Sequence, residues 1–281
     1  AATTLGTAIM LVTIGVIVYR SALLRETAFK RVFIPPAPGD AGTALGCAVY
    51  GLTQLAQARC DYRWRHDYLG PEPLQADIDA ALQGADDLVV KRGVELRELC
   101  TELVDLLCDA KVVGLYQGRS EFGPRALGHR SILGDPRNER MRDWINAQVK
   151  QREWFRPLAP VVLLDRAADY FGIHRPSPFM QFAAPVRHDA AAVIPAVTHV
   201  DCTARLQTVS DDDDPLLWTL LNAFEARTGV PVLLNTSFNR REEPIVETPA
   251  EAIETFRRTP MHALAMPPYL IRKRIEPPAV G

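Results

Sequence analysis

The chain has no C-x-x-C pair, and its five cysteines (Cys47, Cys60, Cys100, Cys108 and Cys202) are scattered and odd in number. That pattern excludes a zinc framework and a disulfide scaffold; it fits reduced thiols in a cytoplasmic protein. Long hydrophobic spans are also lacking. The uncharged, mostly apolar run Leu5–Tyr19 has fifteen residues, where a membrane-spanning helix needs roughly 20, and no basic segment precedes it as in a signal peptide. No membrane partner is expected. Net charge is small as well: 32 Lys and Arg against 34 Asp and Glu leave -2, which argues against a general nucleic-acid binder. The acidic run Asp211–Asp214 lacks the Gly and closing Glu of an EF-hand loop and reads as a solvated loop with a helix cap. No internal repeat or low-complexity segment is present.

What remains, at 281 residues, 47% hydrophobic and 23% charged, is an ordinary globular composition, enough for one large domain or one and a half smaller ones. The opening Ala1-Ala2-Thr3 has no Met, and Leu5–Tyr19 reads as a buried strand of an incomplete domain. Arg31–Pro35 is expected to be a short strand, and a Pro- and Gly-rich loop then opens a small-residue helix from Thr43 to about Gln57. Asp40 at its start suits either an N-cap or a metal ligand. The polar, aromatic and Pro-containing stretch 58–85 is expected to be a linker.

An α/β pattern follows. Leu88–Ala110 carries apolar residues at helical spacing, Lys111–Tyr116 is a strand, and Asp135-Pro136 starts a helix that Lys150 closes. Val161–Leu164 is a buried strand. In Val197–Val209 the residues alternate, with His199, Asp201, Thr203, Arg205 and Gln207 on one face, which is either a solvent-facing surface or the wall of a site. The helix Pro215–Arg227 leads through Gly229 into strand Val230–Leu234 and the polar run Asn235-Thr236-Ser237-Phe238-Asn239. Polar residues at the end of a buried strand are where α/β sheets place ligands. Thr248-Pro249-Ala250-Glu251 is a capping box.

The densest chemical signal is the run from Gly118 to Pro160. Between Arg119 and Arg156 stand eight Arg and one Lys against five acids. Arg119, Arg125 and Arg130 fall in a stretch punctuated by Gly and Pro, and guanidinium forks beside irregular backbone are what multi-oxygen anions require. A phosphorylated substrate is the expectation.

The segments E-F-G-P-R-A-L-G-H-R-S-I-L-G-D-P-R, K-Q-R-E-W-F-R-P-L-A-P, S-P-F-M, P-A-V-T-H-V-D-C-T-A-R-L-Q-T-V and G-V-P-V-L-L-N-T-S-F-N, in that order, closely resemble the C-terminal half of the O-carbamoyltransferases of nodulation-factor and antibiotic biosynthesis. The resemblance implies an α/β fold. A YrdC-like mixed twisted sheet with flanking helices would fill 86–281, preceded over 1–57 by the tail of an actin-like ATPase-type, carbamoyl-transfer domain. It implies that carbamoyl phosphate and ATP, with Mg2+, give carbamoyl-adenylate and pyrophosphate, and that the carbamoyl group then passes to a hydroxyl acceptor.

Under the same resemblance Arg125 and Arg130 are bidentate phosphate clamps, Arg156 is a second clamp, and Lys150 is a mobile point charge near the carbamoyl and α-phosphate groups. Ser237 and Asn239 donate hydrogen bonds to nucleotide phosphate or carbamoyl; Asn235, Thr236 and His199 complete the binding set. His129 and His199 suit either proton shuttles or satisfied structural histidines. Arg119, Arg137 and Arg152 pair with Glu121, Glu139 and Glu153. Asp40 resembles an iron ligand whose partner histidines lie upstream, so iron is expected only in a complete enzyme.

Cys202, Glu242 and Pro267-Pro268 stand where the pattern has Gly, at a cost of order 1 kcal/mol wherever positive φ is required. Alternative readings are an RNA- or nucleotide-binding module of the YrdC-like type, which the near-neutral charge counts against, and a truncated, nonfunctional remnant. A third is a half-enzyme that needs a separate N-terminal-half chain or a homodimer.

Overall fold

A computed structural model describes residue 37 and residues 39–61, 64–173 and 175–281. The strands expected at Leu5–Tyr19 and Arg31–Pro35 lie outside the described residues. Among the described residues nine strands form one mixed sheet: β1 Leu88–Lys91, β2 Val113–Tyr116, β3 Arg130–Gly134, β4 Ala159–Leu163, β5 Phe182–Pro185, β6 Thr203–Val209, β7 Val232–Ser237, β8 Ala263–Met266 and β9 Tyr269–Lys273. Their order is β1-β9-β8-β2-β3-β7-β4-β6-β5. Only β2 with β8 and β4 with β6 pair in parallel. The expected mixed α/β sheet with flanking helices is therefore observed.

The helices are α1 Asp40–Tyr50, α2 Gln75–Ala81, α3 Leu96–Cys108, α4 Met141–Trp144, α5 Ala167–Tyr170, α6 His188–Ala191, α7 Pro215–Thr228 and α8 Pro249–Arg258. Single π-turns extend α1 to Leu55 and α4 to Val149. Buried Leu99, Leu103 and Leu107 of α3 meet Leu217, Leu220, Leu221 and Phe224 of α7 in one core. Both helices show the three-to-four-residue spacing that keeps an apolar stripe on the inside. Asp214 caps α7, its carboxylate accepting from Leu217 N–H at 3.0 Å, and Gly229 ends it at φ 76°, the left-handed position that favours glycine. Thr248 and Glu251 form the expected capping box of α8.

Three local expectations change. Leu88–Lys91 is a strand, with the helix beginning only at Leu96, because those residues pair with Leu270–Lys273; a partner almost two hundred residues away outweighs local spacing. Gly39 occupies the cap of α1 and makes no side-chain cap bond, so Asp40 is the first helical residue. Its side chain lies outside the described residues. Third, β6 begins at Thr203, after a turn in which Cys202 sits at φ 57°.

Glu242 likewise lies at φ 62°, so two residues found in place of Gly occupy left-handed backbone, at a cost of order 1 kcal/mol each. Within the stretch 58–85, expected as a linker, Ile78 and Leu82 are in the core and Tyr68 bridges to Glu121.

Candidate functional site

The loop between β2 and β3, residues 117–129, carries the Gly- and Pro-punctuated arginines and is fastened on every side. Glu121 Oε1 accepts backbone N–H bonds from Leu127 (2.7 Å), His129 (2.8 Å) and Arg130 (3.2 Å). A single carboxylate oxygen thus gathers three donors that a tight turn leaves unpaired, and burial holds its pKa up in spite of those bonds. Arg130, fully buried, donates from Nη1 to the carbonyls of Gln117 (2.7 Å) and His129 (3.1 Å) and from Nη2 to Gly118 (3.1 Å), with its guanidinium 3.7 Å over the Tyr116 ring. Gly128 sits at φ 117°, where a Cβ would come within 2.7 Å of Leu217 and 2.9 Å of Asp214. Only glycine lets the loop approach α7 that closely.

From below, two buried amides hold the same loop. Gln207 on β6 donates to the Leu127 carbonyl at 2.6 Å, and Asn235 on β7 donates to the Ala126 carbonyl at 3.2 Å and to Gln207 Oε1 at 2.9 Å. Asn235 Oδ1, facing away from those acceptors, is buried and has no partner. Above the loop the Tyr68 ring stacks on His129 at 3.5 Å between centroids, and the Tyr68 hydroxyl donates to Leu127. His129 Nδ1 donates to the Arg119 carbonyl at 2.6 Å, leaving Nε2 3.7 Å from Asp214. Burial pushes His129 down to about 4 and Asp214 up to about 6, so at neutral pH this contact holds no full ion pair.

Arg125 projects from this loop with no hydrogen bond or ion pair among the described residues, and burial lowers its pKa. Arg205 on β6 has a buried, unpartnered Nε; burial and then the charges of Arg125 and Arg152 push its pKa down to about 10. Arg152 is lowered too, by burial and by Arg156. Three half-buried guanidinium groups therefore crowd together, and no carboxylate offsets Arg205. Like charges in a low-dielectric pocket are costly unless an anion joins them.

Lys150 closes the other side. It is 2% exposed, and its Nζ donates to Ser237 O, to Ser237 Oγ (3.0 Å), to Asn239 O (3.1 Å) and to Asn239 Oδ1 (2.6 Å). Burial, with Arg152 adding to it, holds its pKa well below the usual lysine range. The segment between Lys150 and Arg156 is pinned by buried Asn146, whose side chain donates to the carbonyls of Trp154 (3.1 Å) and Arg156 (2.8 Å) and accepts from Arg152 Nε (2.8 Å).

The sequence-derived candidates thus separate. Lys150, Ser237 and Asn239 are joined by hydrogen bonds, and Asn235, on the same face of β7 as Ser237, holds the Ala126 carbonyl next to Arg125. Lys150 is fixed rather than mobile, because four oxygens surround its amine. Arg130 is a strut inside the loop rather than a clamp, since the loop's own carbonyls occupy both of its Nη atoms. Thr236 pairs with Ile132 on the face opposite Asn235 and Ser237, because side chains alternate along a strand. Arg156 is half-exposed and bound to Glu153 at 2.9 Å. His199 closes the turn before β6 through Thr203, at 3.2 Å from its hydroxyl.

Arg119 donates to the Gly70 carbonyl, Arg137 pairs with Asp135 and Arg152 bonds Asn146, so none of the three meets its expected glutamate. Arg205 and Arg152 are the members that sequence reasoning did not place in the site; the polar alternation of β6 was the signal for the first. Among the described residues no group of three His, Cys, Asp or Glu is placed to hold a metal ion, and no helix is long and apolar enough to cross a membrane.

Asp67 is a buried acid at the edge of this assembly, 3% exposed, accepting from Trp64 Nε1 at 2.8 Å. Burial above all, opposed by the Trp64 bond and reinforced by Glu121, raises its pKa to about 7. Between its ordinary value near 4 and that value the folded state keeps a proton that the unfolded chain has lost. Its contribution to stability is therefore complete below about pH 4 and disappears as pH rises through 7. Asp67→Asn, which retains the acceptor, is expected to match the wild type in Tm at pH 4 and to exceed it at pH 8; thermal denaturation across that range measures the difference.

A family model described as carbamoyltransferase C-terminus matches residues 104–273, and one described as carbamoyltransferase N-terminus matches residues 12–49. Nodulation protein NolNO of Sinorhizobium fredii is 44% identical over 91% of this chain and 38% of its own length. Nodulation protein NolO of Bradyrhizobium diazoefficiens is 42% identical over 90% of this chain and 46% of its own length, and the uncharacterized protein sll1178 of Synechocystis is 40% identical over 91% and 45%. The chain spans less than half the length of these three relatives. Among solved structures, the crystal structure of T. kodakarensis HypF aligns with 73% of this chain and 28% of its own at 13% identity, with a TM-score of 0.39, a likeness too distant to argue from.

Proposed function

Because this chain belongs to the carbamoyltransferase family, we propose that it carries the carbamoyl-activating site of an O-carbamoyltransferase. The proximity of Arg125 and Arg152 to Arg205, which no carboxylate offsets, supports this reading. In it, carbamoyl phosphate and ATP meet beside the 117–129 loop, between Arg125, Arg205 and Lys150. Carbamoyl phosphate, ATP and one water give carbamoyl-adenylate, pyrophosphate and inorganic phosphate. The carbamoyl group then passes to the hydroxyl of a small-molecule or sugar acceptor, a step assigned to the family's other domain.

Such chemistry needs little acid or base and much positioning. Arg125 and Arg205 would hold phosphate oxygens as bidentate forks, and the anion would return their pKa values upward. Lys150, with its lowered pKa and its four neutral oxygen partners, would turn part of its hydrogen bonding to charge that develops between the carbamoyl and α-phosphate groups. Ser237 Oγ, already bonded to Asn239 Oδ1 at 2.7 Å, is oriented to act beside it. Arg156 would reach the polyanion only after release from Glu153. Magnesium would enter on the nucleotide's phosphate oxygens.

The test is carbamoyl phosphate-dependent pyrophosphate release from ATP by the purified chain. Release above the rate without carbamoyl phosphate is expected; folded protein that binds neither substrate nor releases pyrophosphate would refute the assignment.

A further inference from the structure

Two large aromatic side chains stand uncovered two and three residues after Arg152 of the arginine cluster. Trp154 is 65% and Phe155 64% exposed, and their rings pack edge to face against each other at 6.0 Å. Most large apolar side chains of this domain are in its core, and this pair forgoes the gain of such burial. The backbone beneath them is not loose. Lys150 anchors one end through four contacts, Asn146 binds the carbonyls of Trp154 and Arg156, and Arg156 N–H closes the turn on Glu153 O at 3.3 Å. A segment whose backbone is fixed while its two aromatic side chains remain open has already met the ordering cost of a binding surface. The cations flanking it are Arg152, which belongs to the guanidinium cluster, and Arg156, which pairs with the intervening Glu153 at 2.9 Å and leaves a net positive charge on the strip.

A ligand complementary to this strip joins a flat aromatic group to a polyanion. We propose that Trp154 and Phe155 form the base-stacking platform of the nucleotide site, taking the adenine ring while Arg125, Arg152 and Arg205 take the phosphates. This inference rests on the assignment of ATP to the cluster and adds to it the residues that distinguish a nucleotide from a bare polyphosphate. Stacking on an exposed aromatic face is worth about 1–3 kcal/mol per base, or about 5- to 150-fold in affinity. Edge-to-face geometry leaves one ring face free for the base.

Two ligands separate the platform from the cluster: ATP, and inorganic tripolyphosphate, which has the charge and no base. Calorimetric titration of the whole chain is expected to show the Trp154→Ala/Phe155→Ala variant losing ATP affinity about 10- to 100-fold while tripolyphosphate binds within about twofold of wild type. Trp154→Phe should recover most of the loss, since a ring is restored, whereas Trp154→Leu should not. Arg125→Ala must weaken both ligands. Equal loss of ATP and tripolyphosphate in the aromatic variant, or no loss of either, overturns the platform while leaving the cluster in place. If the wild type binds tripolyphosphate and ATP with the same affinity, no base is read and the platform falls alone. If it binds neither, the ATP site itself falls and the platform with it. Tighter binding of a short oligoribonucleotide than of ATP would also overturn the proposal, assigning the strip to single-stranded RNA.

Discussion

Arg205→Met is expected to reduce carbamoyl phosphate-dependent pyrophosphate release by about 10²–10³-fold, the range found when one charge-stabilising group is removed from a preorganised site, while Tm stays constant or rises. The two halves of that result have one cause. Arg205 lies on β6 with its Nε buried and unpaired, its pKa driven down to about 10 by burial and by Arg125 and Arg152. In the unliganded domain it is a charge without compensation, so replacing its head by an apolar group of similar reach removes repulsion and desolvation together. With substrate bound, the same charge faces an anion and its loss is felt at every phosphate oxygen it would have held. Activity measurements paired with thermal denaturation decide the matter. A variant that is both inactive and strongly destabilised would make Arg205 a structural residue; one that retains activity would remove it from the site.

Glu121→Ala is expected to cost about 3 kcal/mol or more and to abolish turnover, because it acts on the loop as a whole. Its Oε1 accepts from three backbone donors, Leu127, His129 and Arg130 N–H, and each buried donor left unpaired costs about 1–3 kcal/mol unless water enters. Loss of this contact releases the segment that carries Arg125 and adjoins the Tyr68–His129 stack. Glu121→Gln keeps an oxygen in place and is expected to recover most of the stability, since the carboxylate's charge is not what the N–H groups require. Denaturant midpoints for the two variants, with pyrophosphate release in parallel, separate the geometric role from the electrostatic one. If Glu121→Ala unfolds at the same denaturant concentration as wild type, the loop is held by Arg130 and the two amides alone.

The pattern of elements was largely legible from residue order. Gly229 ends α7, Thr248 and Glu251 cap α8, and the alternation of Thr203, Arg205 and Gln207 appears as one face of β6. These features depend on neighbours within a few residues, where propensity and capping act. Leu88–Lys91 escaped the same reasoning because its partner strand is at the far end of the chain. The expectation for Arg119, Arg137 and Arg152 failed because other partners were better placed: the Gly70 carbonyl, Asp135 and Asn146, with Glu153 taken by Arg156.

The candidate site shows the same division more sharply. The sequence by itself determined that the chain resembles the carbamoyltransferases, that an arginine-rich loop follows a buried strand, and that Asn235, Ser237 and Asn239 stand at the end of another. Which cations remain available to a ligand was decided only in three dimensions. Arg130, at the start of β3, and Arg125 are five residues apart, yet backbone carbonyls hold both Nη groups of the first and leave the second open. Arg205, eighty residues onward, completes the cluster because β6 lies two strands from β7, across β4. Residue type states what a side chain can bond; burial and the partners gathered by the fold decide which of those bonds are already made.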